Sequence, residues 1–350
     1  MGIRWHRTSR YLFWIGIQKD LSKKEYDWSY HDRLMENIPS DMHVLMNIAA
    51  IPQGLLAPAH SKKKNITNKK QRNAAERAKY YIASKDSYMP IDIDKYSEFV
   101  RAAVERYDGD GIDDMPGLKQ PVKYWQVGNE PPRNLKDYPK LLEITYKAIK
   151  ETDPDAKVII GGTTGIAHNN GQIYIDGFDK KFFPILRELG GQYVDIFDLH
   201  WYGNATGDYK NCKKIYEYIK MVLEKTGFSK DMPFWITEMS SYSGKAVHDR
   251  RTLTFQSETE QAADLLKRYV YPLSFGVKKV FWAFGLIEGF RDSDNYFEHT
   301  GLIYNGRFDY DQGRGVKKLA YYTYKKMTEI LEGSDWKNIE VVQENDGIYI

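Results

Sequence analysis

The chain has 350 residues, 42% hydrophobic and 28% charged, which is enough apolar material for one large globular domain or two medium ones and excludes compositional disorder. Its 51 Lys and Arg nearly balance 48 Asp and Glu, and a net charge of +3 gives no basis for a nucleic-acid or acidic-membrane partner. Cys212 is the single cysteine, so an internal disulfide and a cysteine-rich zinc site are both excluded.

No run approaches the roughly 20 apolar residues of a membrane span. Tyr11–Ile17 is a short apolar run with neither the basic start nor the small-residue end of a leader peptide. The expectation is a soluble protein, either cytoplasmic or secreted with its leader removed.

In chain order, Ile3–Arg7 reads as a short strand, a helix lies near Tyr30–Ile38, and Met42–Ala49 is a strand stopped by Pro52. Leu55–Ala83 is polar and basic, but aromatic residues are missing from it until Tyr80. It reads as a solvated loop with a surface helix, not a nucleic-acid arm. Tyr96, Phe99, Val100, Ala103, Val104 and Tyr107 recur on one helical face, which predicts a helix over Asp94–Tyr107 with Asp94 as its N-cap. Asp108–Asp114 sets acidic residues around two glycines like part of a calcium loop. It lacks the distal glutamate of an EF-hand, so a Gly/Asp turn is the better reading.

The stretch Lys123–Pro132 organises the rest. Tyr124, Trp125 and Val127 suit a buried strand, and the run stops at Asn129 and Glu130 before two prolines that cannot donate to a ladder. A carboxylate ending a buried apolar strand marks Glu130 as a candidate catalytic group.

A helix over Tyr138–Lys150 follows, then a strand at Ala156–Ile160 closed by Gly161 and Gly162. Next come a helix over Phe182–Leu189, a strand over Val194–Tyr202 and a helix over Cys212–Lys225, which carries the cysteine as a passenger. Pro233–Met239 is a strand that brings a second glutamate, Glu238, near its end. Ser257–Glu260 is a capping box opening a helix over Gln261–Leu273. Val277–Phe284 is the last strand of this kind and Val316–Leu331 a closing helix. Ile339–Ile350 reads as a hairpin turning at Asn345–Gly347.

Buried strands alternating with helices imply a parallel sheet covered by helices. The count is about seven strands, one short of a closed (β/α)8 TIM barrel. A missing first strand upstream of Ile3 is the simplest account of that shortfall. The expected organisation is a barrel domain over residues 1–333 and a C-terminal β segment over residues 334–350, a remnant of a β domain.

In such a barrel the C-terminal strand ends share one rim, where sites are built. Asn129–Pro131 after an apolar strand, Glu238 after Phe234–Thr237, His200–Tyr202 between them and Trp282 on the last strand resemble the retaining glycoside hydrolases of the large (β/α)8-barrel clan. The likeness is greatest to its cellulase-like and β-xylosidase/α-L-iduronidase-like families and runs from about Ile3 to Leu331.

The resemblance implies that Glu130 is the general acid/base and Glu238 the nucleophile of a double displacement on a β-linked oligo- or polysaccharide. Asn129 would bind the sugar 2-hydroxyl. Tyr202 and His200 would line the cleft, Arg7 would hold Glu238 ionised, and Trp282 would be the stacking platform. It implies no metal and no organic cofactor.

Arg4 replaces Arg7 if the first strand slips by one residue, and Trp201 reads equally well as core. Metal-dependent hydrolysis predicts histidine clusters at strand ends, whereas only His200 ends a strand. A degenerate, non-catalytic carbohydrate-binding barrel is the remaining alternative. Asn65–Thr67 and Asn204–Thr206 fit a glycosylation pattern common by chance. The sugar, the mode of cutting and the oligomeric state have no reading in the sequence.

Overall fold

Among the described residues seven strand–helix units follow one another along the chain. The computed structural model describes residues 1–8, 10–52, 78–84, 87–131, 137–169, 172–203, 208–248, 251–283, 285–289, 293–307, 311–335, 338–340, 342–345 and 348–349. The strands are β1 (Trp5–Arg7), β2 (His43–Ala49), β3 (Tyr124–Val127), β4 (Lys157–Ile160), β5 (Phe197–Tyr202), β6 (Phe234–Ser240) and β7 (Val277–Trp282). The helix after each is α1 (Ser29–Glu36), α2 (Ile93–Tyr107), α3 (Tyr138–Thr152), α4 (Asp176–Leu189), α5 (Asn211–Lys225), α6 (Glu258–Ser274) and α7 (Leu319–Leu331).

Strands β1 to β4 pair in chain order, all parallel, and so do β5 to β7. Parallel bridges Ile159–Ile196 and Thr163–Leu199 join the two sheets beside β4 and β5. Sequential parallel neighbours are what helical crossovers produce. Among the described residues β7 and β1 do not pair with each other. A cavity of about 1150 Å³ lies between them, yet Trp5 of β1 still reaches Phe281 of β7, ring centroids 6.0 Å apart.

Side chains alternate across each strand, and the two faces divide the apolar residues between two cores. On the inner face Leu45, Ile159, Ile196, Trp235 and Phe281 form one buried cluster with Trp5 and Tyr124 against it, one residue from each strand except β5, which is represented by Ile196 just before it. Met46, Ile48, Trp125, Val127, Val158, Ile160, Leu199 and Ile236 face the other way into the larger core under the helices. Each fully buried Val, Ile or Leu there contributes about 1.5–3 kcal/mol. Burial on both faces is why these strands read as continuous apolar runs.

Several boundaries differ from the sequence reading. The N-cap of α2 is Asp92, not Asp94: Asp92 is extended and accepts from the Lys95 N–H, while Asp94 sits in the first turn. Helix α4 starts at Asp176, earlier than Phe182, and tolerates Pro184 in its interior; its apolar face, Phe178, Phe182, Ile185 and Leu189, begins one turn before the predicted start. Helix α7 starts at Leu319 and not at Val316, since Lys318 is extended and its ammonium is buried against Glu288. The capping box at Ser257 and Glu260 is present in full.

Short elements that the sequence reading passed over include Leu12–Phe13, parallel to Ile48–Ala49, and the helical turn Trp14–Ile17. Hairpins Ile82–Ser84/Ser87–Pro90 and Ala167–Asn169/Gln172–Tyr174 are further ones. Most of the Leu55–Ala83 loop, Asn65–Thr67, Asn204, Thr206, Phe284 and the Asp346–Gly347 turn lie outside the described residues.

In the Asp108–Asp114 loop the Asp114 carboxylate accepts from the Gly109 and Gly111 N–H groups and Asp110 from Ile112, which is how a turn is fastened. Glu344–Asn345 and Ile348–Tyr349 pair as an antiparallel hairpin. Among the described residues no helix is long and apolar enough to cross a membrane.

Candidate active site

Two residues beyond the inner aromatic layer, the same strand faces turn polar: Arg7 on β1, Asn47 on β2, Gln126 on β3, Asp198 on β5 and Thr237 on β6. Asn47, Gln126, Asp198 and Thr237 are buried and largely satisfy one another. Asp198 accepts from Gln126 Nε2 at 2.5 Å, Thr237 Oγ1 at 2.6 Å and the Thr237 N–H at 2.9 Å. Gln126 Oε1 accepts from Asn47 at 2.8 Å and from Arg7 Nε at 2.9 Å. These hydrogen bonds offset the desolvation of a buried carboxylate and lock a polar floor.

The strand ends above this floor are distorted in ways that aim side chains inward. After β3 the backbone turns left-handed, with φ +71° at Gly128 and φ +43° at Glu130. For a residue with a Cβ that conformation costs roughly 1–2 kcal/mol, and such strain is characteristic of sites. Between β5 and β6 the register slips: Leu199 pairs with Ile236, but His200 pairs with Glu238. Thr237 is thereby left out of the ladder and gives its N–H to Asp198.

Six of the seven predicted residues meet here. Arg7 donates to Glu238 Oε1 at 2.7 Å, to Asn129 Oδ1 at 2.6 Å and to the Tyr11 hydroxyl at 3.4 Å. Tyr202 donates to the other oxygen of Glu238. His200 Nδ1 lies 2.7 Å from Glu130 Oε1 and 3.5 Å from Glu238 Oε2, with Nε2 3.4 Å from Asp198. One oxygen each of Glu130 and Glu238 and a ring nitrogen of His200 lie within 4.8 Å of one another.

The seventh residue, Trp282, is half-buried and lines the same cavity as Arg7 and Glu238. Its indole N–H donates to the Thr300 carbonyl, and its ring stacks on Tyr269 of α6. Arg4 is exposed and held by Asp41 and Glu332. Trp201 is buried beneath the Arg268 guanidinium, 4.4 Å from its ring centroid.

The two glutamates differ in environment. The Glu238 side chain is 11% exposed and the Glu130 side chain 36%. Burial pushes the Glu238 carboxyl up, but the charges of His200 and Arg7 and the bonds from Tyr202 and Arg7 outweigh it and hold it below the ordinary range. Burial pushes the His200 imidazole down, yet Glu238, Asp198 and Glu130 together raise it to about 9. At neutral pH the centre thus holds an ionised Glu238 beside a protonated His200.

Glu130, His200 and Glu238 are close enough to face one divalent ion. However, both Glu238 oxygens already accept from Arg7 and Tyr202, and a guanidinium beside a protonated imidazole opposes a further cation.

Sequence reasoning missed Asn47, Gln126, Asp198, Thr237 and Tyr11. The first four had a signal, since each is a polar residue inside an otherwise apolar strand. Gly162 is a further requirement: a Cβ there would come within 1.9 Å of His200 Nε2, and His200 is itself buried. Gly162→Ala is expected to cost about 1–3 kcal/mol of stability by overpacking, read from urea unfolding, and to displace His200 from Glu130. Wild-type stability in that variant would show that the ring has room to move.

No protein-family model matches the sequence. No curated protein matches it either. Solved structures do share the fold. A family 39 glycoside hydrolase from the gut symbiont Bacteroides cellulosilyticus WH2 superposes with TM-score 0.60 at 18% identity, covering 94% of this chain and 59% of that one. A glucosidase from Croceicoccus marinus gives 0.58 at 15% identity, covering 94% and 60%. A β-glucuronidase from Faecalibacterium prausnitzii gives 0.50 at 14% identity, covering 94% and 43%. The chain therefore spans about three fifths or less of the length of these neighbours. At such identities the likeness is one of fold: the α/β architecture with parallel sheets is the one on which these glycoside hydrolases are built.

Proposed function

We propose that the chain is a retaining β-glycoside hydrolase acting on a β-linked oligo- or polysaccharide, with Glu238 as nucleophile and Glu130 as acid/base. The observation that carries this reading is the approach of the two carboxylates, with an oxygen of each within 4.8 Å of the other. Retaining enzymes place their carboxyl groups about 5–5.5 Å apart, whereas inverting ones leave about 6.5–9.5 Å for a water.

The assignment of roles follows from surroundings. Glu238 is ionised, buried and fixed at both oxygens, which suits attack on an anomeric carbon. Glu130 is more open and sits 2.7 Å from His200 Nδ1, on the side from which a leaving oxygen would be protonated. Attack by Glu238 forms a glycosyl ester as Glu130 protonates the departing alcohol. Glu130 then deprotonates a water that displaces Glu238 and restores both groups. Asn129, oriented by Arg7, would bind the sugar 2-hydroxyl, and Trp282, which lines the same cavity, would be the platform for a sugar ring.

In this reading β1–β7 are the second to eighth strands of a (β/α)8 barrel over residues 1–333, and the place between β7 and β1 is that of the first strand. Glu130 then follows the fourth strand and Glu238 lies on the seventh. Residues 334–350 form a separate C-terminal β segment.

The test is a panel of aryl β-glycosides with the product anomer followed by proton NMR. The expected first-formed product is the β-anomer, and an initial α-anomer would overturn the double displacement. Among the described residues β1 and β7 do not pair with each other beside Arg7 and Glu238, which favours one second reading, a carbohydrate-binding barrel without turnover. It predicts oligosaccharide binding with no product released, unaffected by loss of Glu238.

A further inference from the structure

We propose that a second cavity, of about 490 Å³ beside the segment after β1, is a saccharide subsite that takes a further ring of the chain being cut. The inference rests on the glycosidase reading above and adds to it where, beyond the scissile bond, the substrate is held. Its volume is within the roughly 300–1,000 Å³ of ligand pockets.

Continuity with the catalytic centre is the first argument. Tyr11 lines both cavities, and its hydroxyl is 3.4 Å from the Arg7 nitrogen that also holds Asn129. A saccharide running from Glu238 past Arg7 therefore meets Tyr11 and enters this cavity. The Leu12–Phe13 segment pairs with the C-terminal end of β2, which puts the cavity on the rim that carries Glu130 and Glu238.

The lining supplies the second argument. Tyr11 and Phe13 form a tilted aromatic pair with centroids 5.6 Å apart, and Tyr30 is 44% exposed at the N-terminal turn of α1. Aromatic faces suit the C–H side of a sugar ring. The Lys19–Asp27 pair, 2.5 Å apart and largely solvent-facing, offers donors and an acceptor for ring hydroxyls.

His31 is the third argument. It lines the cavity, is 9% exposed, and its Nε2 lies 3.1 Å from the Tyr11 carbonyl. A carbonyl only accepts, so Nε2 carries the hydrogen and Nδ1 is left as an acceptor. Burial pushes the imidazole down and favours this neutral form. Among the described residues Nδ1 has no donor. A buried acceptor without a partner is costly, a cost that a sugar hydroxyl reaching the ring would relieve.

The experiment compares wild type, Tyr30→Ala and Tyr30→Phe on the aryl β-glycoside that is cleaved best and on the β-linked tetrasaccharide of the same sugar. Saturation-transfer NMR reads tetrasaccharide binding in parallel. Tyr30→Ala is expected to lower kcat/KM on the tetrasaccharide about tenfold while the aryl monoglycoside is unaffected, and Tyr30→Phe to retain both. Unchanged aryl turnover also certifies the fold of the variant. Equal effects on both substrates, or none on the tetrasaccharide, overturn the subsite.

A wild type that cleaves nothing overturns the hydrolase reading instead. The NMR arm then decides the subsite: tetrasaccharide binding that weakens in Tyr30→Ala supports it, and binding that is absent or unchanged removes it.

Discussion

Glu238→Ala is expected to lower kcat/KM on an activated aryl β-glycoside by about 10,000-fold or more, because the proposed nucleophile is removed. The variant should also lose stability. The Arg7 guanidinium, with 13% of its side chain exposed, gives up its carboxylate, and leaving a buried charge without its partner costs about 3–5 kcal/mol. Loss of activity alone would therefore be ambiguous between lost chemistry and lost fold. Sodium azide separates the two. A small anion occupying the space of the missing carboxylate attacks the sugar directly, so a folded variant yields an α-glycosyl azide, identified by NMR. Activity equal to wild type would remove Glu238 from the nucleophile role.

The legible part of the fold was its repeat of buried strand and helix. Residues such as Met46, Trp125 and Val158 are buried under helices while their strand neighbours Leu45, Tyr124 and Ile159 meet around the interior, so each strand had to be apolar on both sides. The boundaries that shifted did so where one side chain overrides a pattern. Lys318 is tied to Glu288, and Asp92 reaches Lys95, neither of which periodicity can reveal.

In the site, Asn129, Glu130, His200 and Tyr202 were readable because they end or follow an apolar run, and Glu238 because it sits near the end of one. The slip that seats His200 opposite Glu238 was not, since a bulge depends on which residue of a neighbouring strand is left over. Gln126 and Asp198 carried a visible signal, a polar residue inside a strand, but their partners lie 72 positions apart in one bond and 119 in another. Such contacts emerge only once the strands are placed side by side.

The polar floor also explains how two identical carboxyls come to differ. Glu238 is held by Arg7 at one oxygen and by Tyr202 at the other, while Glu130 is reached by His200, whose far nitrogen faces Asp198. Electrostatic asymmetry therefore comes from the strands beneath as much as from the rim loops. It follows that changes at Asp198 should move the pH dependence of the site as well as its stability.

Glu130→Ala is expected to split the two chemical steps. A 2,4-dinitrophenyl glycoside needs little acid assistance, so formation of the glycosyl-enzyme should stay fast, whereas its hydrolysis loses the general base and slows about 100- to 10,000-fold. Stopped-flow should then show a burst of dinitrophenol followed by slow turnover, and azide should speed the second step to give a β-glycosyl azide.

The pH profile carries the same argument. His200 is raised to about 9 from an ordinary 6.5, so its stabilising charge is complete below about 6.5 and is lost as pH rises through about 9. Glu238 is depressed, so its contribution is present above the ordinary carboxylate value and fades as pH falls through the lower folded one. Wild-type kcat/KM should accordingly fall on the alkaline side as His200, hydrogen-bonded to Glu130, loses its proton. In Glu130→Ala that limb should flatten on the dinitrophenyl substrate while the acid limb of Glu238 persists. An unaltered alkaline limb together with unaltered turnover would mean that Glu130 handles no proton in either step.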